Sequence, residues 1–262
     1  MLFYKWYKNI KPNTEFIAKN ITYYKNIDST NKAARNNDCK NGTLFIAEKQ
    51  TDGKGRMGRK WVSDKGCGIW MSIALTPKTK PELINLITLV SGLAVCKTLN
   101  KLYKLPFKIK WPNDIVINGK KICGILTEGK AENGKITKVV TGIGINVNSK
   151  SFPDEIEEIA TSLYMLTGKK SDRAKIINTF AEIFEGYYKL LLKDDTGSII
   201  EKYRNLCITI DKDIIAIKDN EEIKGKAIDI AQTGELIIKK EDGTTLNINS
   251  GEVSVRGMYG YI

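Results

Sequence analysis

The chain of 262 residues contains no histidine. That absence removes Ser-His-Asp and Cys-His nucleophilic machinery, H-E-x-x-H zinc sites and any imidazole general base. Chemistry, if any, must run on Lys, Arg, Asn, Asp, backbone groups and bound metal. Cysteine is sparse and unpatterned: Cys39, Cys67, Cys96, Cys123 and Cys207 form an odd set with no C-x-x-C pair. This argues against a disulfide framework and a zinc knuckle, and leaves them as small packed residues. No uninterrupted apolar run reaches the ~20 residues that span a bilayer. The aromatic, basic start from Met1 to Lys11 lacks the apolar stretch of a secretory signal. A cytoplasmic protein with no membrane partner is the expectation.

Acid is also in the minority. Lys and Arg number 42 against 30 Asp and Glu, a formal net charge of +12, which points to an acidic partner or a polyanionic ligand, or simply to a lysine-rich solvated surface. The excess is spread along the chain, a weak footprint for nucleic acid. One part is concentrated: Lys54, Arg56, Arg59 and Lys60 crowd into seven residues that follow Gly53 and include Gly55 and Gly58. The rest of the composition, 42% hydrophobic and 27% charged, is that of an ordinary globular protein. The length accommodates one large domain, or a medium one with a small appendage.

Patterning predicts strands over 43–48 and 68–75, with the basic glycine-rich stretch between them. Residues 82–103 carry Leu83, Leu86, Ile87, Val90 and Leu93 at helical spacing. Residues 107–111 alternate as a strand. Asn118-Gly119 and Asn133-Gly134 are hairpin dipeptides, so 115–117, 121–128 and 136–147 should form a meander. Residues 172–193 predict a second amphipathic helix. From about Cys207 short β-branched runs (208–210, 214–217, 224–230, 236–239 and 245–248) alternate with turns at Asp219-Asn220, Thr233-Gly234 and Asp242-Gly243. This texture predicts a separate small all-β barrel, with the boundary near 203–206. The first part lacks a regular βαβ rhythm, so α+β is the expected class.

Gly53-Lys54-Gly55-Arg56-Met57-Gly58 fits G-x-G-x-x-G, yet residues 60–66 lead into a strand and not a helix, and Arg59-Lys60 stand where a P-loop needs Lys and Ser/Thr. Both common nucleotide readings fail on context. Glycines with interleaved cations still suit an anion, by inward N–H groups and fork-shaped Arg donors; a solvated hairpin tip is the plainer alternative. Lys110-Trp111-Pro112-Asn113-Asp114 ends one strand and enters the next. Asn113 and Asp114 could cap that turn, or place an amide and a carboxylate beside a phosphate-bound Mg²⁺. Lys121 follows a tight turn and, facing inward, would be a fixed charge. Glycines in the β-branched run Gly142-Ile143-Gly144-Ile145-Asn146 mark a bulge or the close approach of a backbone or ligand.

The order of these blocks is distinctive. Ser29-Thr30-Asn31, then Gln50 to Trp61, then Lys110 to Asp114, then Lys121-Ile122-x-Gly124-Ile125, then Gly142-x-Gly144-x-Asn146 resembles the biotin–protein ligase family, and Gly225, Gly234 and 250–253 extend the likeness to about Arg256. The resemblance implies a class II synthetase-like catalytic domain over 1–204, a mixed or antiparallel sheet with flanking helices, and an SH3-like β-barrel over 205–262. It implies that Ser29, Thr30, Asn31 and Gln50 line a biotin pocket, that the Gly53–Arg59 loop, Lys54 included, folds over biotin and the adenylate, and that Arg56 and Lys121 carry the catalytic charge. Gly124 and Gly142 would leave room for biotin's chain. Arg59, Lys60, Trp61, Lys110, Asn113 and Asn146 would serve ATP, with Asp114 holding Mg²⁺ through the nucleotide. Lys54 stands where the family usually has Arg, so a bidentate contact there is lost.

The chemistry agrees with the missing histidine. An aliphatic carboxylate of reference pKa about 4.3 is already an anion at neutral pH and needs no base to attack a phosphate. The obstacle is to bring two anions together, a task for Lys, Arg and Mg²⁺. A water-sensitive acyl adenylate calls for a lid, and the basic loop and residues 149–158 are the candidates. A biotin carrier domain is the implied protein partner, and a second copy of the chain, as a homodimer, is another. Three rival readings stand beside this one: a lipoate–protein ligase, a basic nucleic-acid-binding module, and a biotin-responsive repressor. The last needs a helix-turn-helix, and only 28 residues precede Ser29, so no specific DNA binding is expected.

Overall fold

Among the described residues the β-branched and helical runs sort into two sheets and six α-helices. The computed structural model describes residues 6–132, 135–218, 221–249 and 254–257. In chain order the first part runs β1 (Ile21–Tyr24), α1 (Thr30–Asn36), β2 (Thr43–Ala47), β3 (Gly68–Leu75), α2 (Leu86–Tyr103), β4 (Lys108–Lys110), β5 (Asp114–Ile117), β6 (Lys120–Glu132) and β7 (Lys135–Asn146). Four more helices complete it: α3 (Asp154–Glu157), α4 (Leu163–Thr167), α5 (Arg173–Leu192) and α6 (Thr196–Arg204). The seven strands order as β1-β2-β3-β7-β6-β5-β4. Only the β1–β2 pair is parallel, so the sheet is mixed and the class is α+β.

Every residue of β2 and β3 is buried, because the sheet is covered on both faces. On one face α2 packs its apolar residues, Leu86 to Leu99, between the sheet and α5. The stretch Pro81–Tyr103 is long and apolar enough to cross a membrane by composition, contrary to the sequence expectation, but most of it is buried in this core. On the other face lies α1, whose N-cap Ser29 accepts a bond from the Lys32 amide. Neither β1 nor α1 was legible in the sequence, both being short. The helix expected from residue 82 begins as a single 3-10 turn, Pro81–Leu83, before α2 starts at Leu86.

The meander forms with its Asn118-Gly119 turn, where both residues have positive φ, as a two-residue hairpin of this type requires. The Asn133-Gly134 and Asp219-Asn220 turns and the 250–253 block lie outside the described residues. Asp172 caps α5 by accepting from the Ala174 and Lys175 amides at 2.9 and 3.2 Å. The segment before β1 is tied down by buried Glu185 of α5, which accepts from the amides of Glu15, Phe16 and Ile17 at 2.7, 3.0 and 2.9 Å.

Beyond α6 come β8 (Asp213–Lys218), β9 (Glu221–Ile230), β10 (Leu236–Lys239), β11 (Thr245–Ile248) and β12 (Ser254–Gly257), an antiparallel sheet of order β11-β10-β9-β8-β12. Among the described residues no pairing joins β11 to β12, so the sheet is open there and not a closed barrel. The run 208–210, expected as its first strand, instead lies along the edge of the larger sheet: Ile109 N–H donates to Leu206 O and Ile208 N–H to Ile109 O. β4 is an edge strand whose outer amide and carbonyl are satisfied in this way. The two parts are pinned together at Trp111. Its amide donates to Thr209 Oγ1 at 2.9 Å and its indole N–H to Gly234 O at 3.1 Å.

Candidate active site

In β7 the period of two sends Thr141, Ile143 and Ile145 toward α2 and Gly142, Gly144 and Asn146 toward the opposite face; Thr141 Oγ1 meets Ser91 of α2 at 3.0 Å, while the Gly142 side meets Asn31. On that opposite face lies a cavity of about 860 Å³. Of the residues singled out from sequence, Ser29, Thr30, Asn31, Gln50, Lys54, Arg56, Arg59, Lys60, Trp61, Lys110, Asn113, Asp114, Lys121, Gly124, Gly142 and Asn146 all line it. Gly53 does not. It sits behind the wall, where a Cβ would come within 2.6 Å of Trp61 O and 2.8 Å of Ser63 Oγ, so its glycine serves close packing of the loop's own ends.

The basic loop is an ordered hairpin. Lys54 bridges Lys60, Gly55 N–H donates to Arg59 O at 2.6 Å, and Met57 takes a left-handed φ of 54° at the tip. This folding carries Arg56 inward, where its Nη1 donates to Asn113 Oδ1 at 3.1 Å. Burial lowers the guanidinium's pKa, Arg59 adds to the effect, and Asp114 opposes it. Asn113 is buried and held by its own strand pair, its Nδ2 donating to Ile125 O at 2.8 Å. Lys54, by contrast, pairs with Asp52 at 3.4 Å on the exposed side.

Lys121 meets Asp114 across the cavity wall at 2.6 Å and stands 5.3 Å from the Trp61 ring centroid. The start of β6 is fixed from behind, because Lys121 N–H donates to Ile159 O and Thr161 N–H to Lys121 O. The Asp114 carboxylate is thus engaged by a lysine, and among the described residues no cluster of three acidic or thiol ligands could hold a metal. Asp114 and, on segment 149–158, Glu155 are the carboxylates that line the cavity, a set suited to a cation delivered on a phosphate ligand.

The glycine floor is already covered. A Cβ on Gly142 would stand 2.1 Å from Asn31 Oδ1, one on Gly144 2.4 Å from Trp61 Nε1, and one on Gly124 3.0 Å from Trp61 Cζ3. The space expected for a ligand's chain over Gly124 and Gly142 is therefore filled by Trp61 and Lys121 and by Asn31; these glycines admit the protein's own side chains. Among the described residues the buried Trp61 indole N–H has no hydrogen-bond partner, an exception to the rule that buried donors are paired.

At the far end, Thr30 N–H donates to Gln50 Oε1 at 2.8 Å, and Gln50 Nε2 donates to Ser63 Oγ at 3.0 Å. Asn146 Nδ2 donates to Thr161 O at 3.1 Å. Ser72 and Glu128 were not singled out from sequence, yet both touch Asn31, at 2.6 and 2.7 Å. Their only sequence signal is parity: each falls on the site face of its strand. The second lid candidate, 149–158, supplies Phe152, Pro153, Glu155 and Ile156 to the opposite wall, with Ile159 beyond it. Burial pushes the Cys96 thiol up to about 12 and raises Cys123 and Cys207.

Two family models match the chain. Residues 23–146 match the family described as Biotin/lipoate A/B protein ligase, and residues 209–256 match the Biotin protein ligase C terminal domain. The bifunctional ligase/repressor BirA of Bacillus spizizenii is 40% identical over 235 residues, covering 88% of this chain and 72% of that protein. The biotin–[acetyl-CoA-carboxylase] ligase of Mycobacterium tuberculosis is 30% identical over 233 residues, 87% of this chain and 84% of that one. A solved biotin protein ligase from Aquifex aeolicus, in complex with biotin and ATP, superposes with a TM-score of 0.76 at 34% identity, covering 91% of this chain and 99% of that one.

Proposed function

This chain belongs to the biotin–protein ligase family, and we propose that it forms biotinyl-5'-AMP from biotin and ATP and then passes biotin to a lysine of a carboxylase's biotin carrier domain. The observation that carries the reading is the meeting of Arg56 and Lys121 on one cavity wall. Arg56 reaches Asn113, and Lys121 reaches Asp114, the next residue. Two cations so placed hold a carboxylate and a triphosphate within reacting distance, which uncatalysed encounter in water does not.

In the first step a biotin carboxylate oxygen attacks the α-phosphorus; the bond to the β-phosphate oxygen breaks and pyrophosphate leaves. Arg56 clamps the carboxylate and phosphate, and Lys121 stabilises the charge in transit. In the second step the acceptor amine, of reference pKa about 10.4, attacks the acyl carbon after losing a proton, and AMP leaves. Ser29, Thr30, Asn31 and Gln50 hold the ureido ring. Trp61, Lys110, Asn113 and Asn146 hold the nucleotide, with Arg59 and Lys60 over its phosphates; the indole N–H of Trp61, unpartnered among the described residues, supports that role. Mg²⁺, bound through ATP with Asp114 as protein ligand, would supply charge neutralisation to the phosphates. The loop from Gly53 and segment 149–158 shut water out.

Biotin is preferred over lipoate because the second family match, over 209–256, is to a biotin ligase domain. Five short antiparallel strands support an SH3-like reading of that part, as a unit from residue 205 beside a class II synthetase-like domain over 1–204. The five cysteines, all free, suit a cytoplasmic setting. The acceptor is a protein, with no specific DNA, and a homodimer is the expected assembly. Transfer of labelled biotin to a carrier domain with ATP and Mg²⁺ tests the whole. No transfer, with lipoate carried instead, rejects it. Lys121→Ala should lower ATP–pyrophosphate exchange by about 10²–10³ with the fold intact; unchanged exchange would remove Lys121 from the mechanism.

A further inference from the structure

The Pro112-Asn113-Asp114 turn carries two of the site's contacts, Asn113 to Arg56 and Asp114 to Lys121. Its position therefore sets where both cations stand. Asn113 is tied to β6, where its carbonyl accepts from the Ile125 amide at 3.0 Å and its Nδ2 donates to Ile125 O at 2.8 Å. Pro112 has no N–H to offer, so its carbonyl is the one hydrogen-bonding group on that residue. That carbonyl accepts from the Tyr203 hydroxyl at 3.1 Å. A peptide unit is planar, so holding the Pro112 carbonyl also holds the Asn113 N–H and the direction in which the next Cα leaves.

We infer that Tyr203, on α6, is a positioning residue for adenylate formation: its hydroxyl fixes the plane of the Pro112–Asn113 peptide, and through Asn113 and Asp114 the places of Arg56 and Lys121. The inference rests on the ligase reading above and deepens it with a residue that does not line the cavity. The fold holds the phenol in place. Tyr203 is fully buried, and Leu206, three residues on, accepts from the Ile109 amide of β4, the strand that leads into the turn. Burial, then Cys207, Cys96 and Asp114, pushes the phenol's pKa well above its ordinary value, so the hydroxyl keeps its proton and donates. Burial by itself does not dictate such a bond. Tyr188 of α5 is equally buried, yet among the described residues its hydroxyl has no hydrogen-bond partner. It packs ring against ring, its centroid 6.0 Å from that of Phe16 and 5.8 Å from that of Phe184.

The test is biotin-dependent ATP–pyrophosphate exchange by the full chain, with calorimetric titration of biotin beside it. Tyr203→Phe keeps the ring and deletes the hydroxyl, leaving the buried Pro112 carbonyl without its donor. The kcat/KM for ATP should fall about tenfold, the worth of one buried hydrogen bond. Biotin affinity should stay within about twofold, because Ser29 to Asn31 and Gln50 stand on other elements, and its persistence reports an intact fold. Tyr188→Phe, the same chemical change at an equally buried phenol, should leave both constants within about twofold. In an Asn113→Ala background the loss from Tyr203→Phe should shrink below about threefold, as for two residues that act as one unit. An ATP kcat/KM unchanged in Tyr203→Phe, or an equal loss in Tyr188→Phe, overturns the inference. So does a biotin affinity that falls as far as the ATP constant, or an undiminished loss in the Asn113→Ala background. A wild type with no biotin-dependent exchange overturns the functional reading instead.

Discussion

Single side chains here do their work through partners that the sequence does not place beside them. Glu185 is the plainest example. Burial alone would raise its carboxyl pKa, but the amides of Ile17, Glu15 and Phe16 and the Lys189 ammonium outweigh that and lower it. A carboxylate with a depressed folded-state pKa contributes stability that is complete above its unfolded value, about 4.3, and is lost as pH falls through the lower folded value. Glu185→Gln should therefore cost about 1–3 kcal/mol at pH 7 by urea unfolding, with the gap to wild type closing below about pH 4. A gap of equal size at pH 3 would show that the carboxylate's charge is not what the three amides recognise. Glu48 obeys the same logic at the other end of the N-terminal segment: burial works against ionisation, and the hydrogen bonds from Arg173 and Trp6 prevail, lowering its pKa.

At the scale of elements, β7 is the clearest case of pattern becoming site. Its alternation places Gly142, Gly144 and Asn146 on one face, and the cross-strand register sets Gly142 opposite Ser72 and Leu126, and Gly144 opposite Trp70 and Gly124. Each missing Cβ admits a different side chain. Gly142→Ala collides with Asn31 and should raise biotin KM; Gly144→Ala collides with Trp61 and should raise ATP KM, each by about ten- to a hundredfold, the size expected of a displaced positioning group. Steady-state kinetics with each substrate varied in turn would check this. If both variants moved the same KM, the division of the floor into a biotin half and a nucleotide half would be untenable. The basic loop shows the same dependence on tertiary contact. Its glycines and cations left an anion-binding loop or a solvated hairpin tip open. Two backbone pairings between its arms close it into a hairpin, which carries Arg56 to Asn113 while Lys54, at the cavity's edge, pairs with exposed Asp52.

For the whole molecule, the decisive contact is Trp111. It stands directly before the Pro112-Asn113-Asp114 turn that meets Arg56 and Lys121, and both of its N–H groups are taken by the C-terminal part. The small sheet is thereby a brace for the site. Trp111→Phe removes the indole hydrogen bond and leaves a cavity in place of part of a fully buried ring, so stability should fall by about 2–4 kcal/mol. Hydrogen exchange should quicken around 209–234 before it does in α2. Exchange rising evenly throughout would mean that Trp111 is an ordinary core residue.

The strands at 43–47, 68–75 and 114–146, the two long helices and the positions around the cavity were legible because local period and turn chemistry act within a few residues. The family blocks likewise announced themselves by order alone. What the chain's pattern could not settle was contact at a distance: β1 and α1, too short for periodicity; the run 208–210, drawn to an unfilled sheet edge; Ser72 and Glu128, ordinary strand residues until Asn31 arrives between them; and the filled glycine floor. Hydrophobic period is a property of neighbours in sequence. Which acceptor a buried donor meets is not, and only tertiary packing decides that.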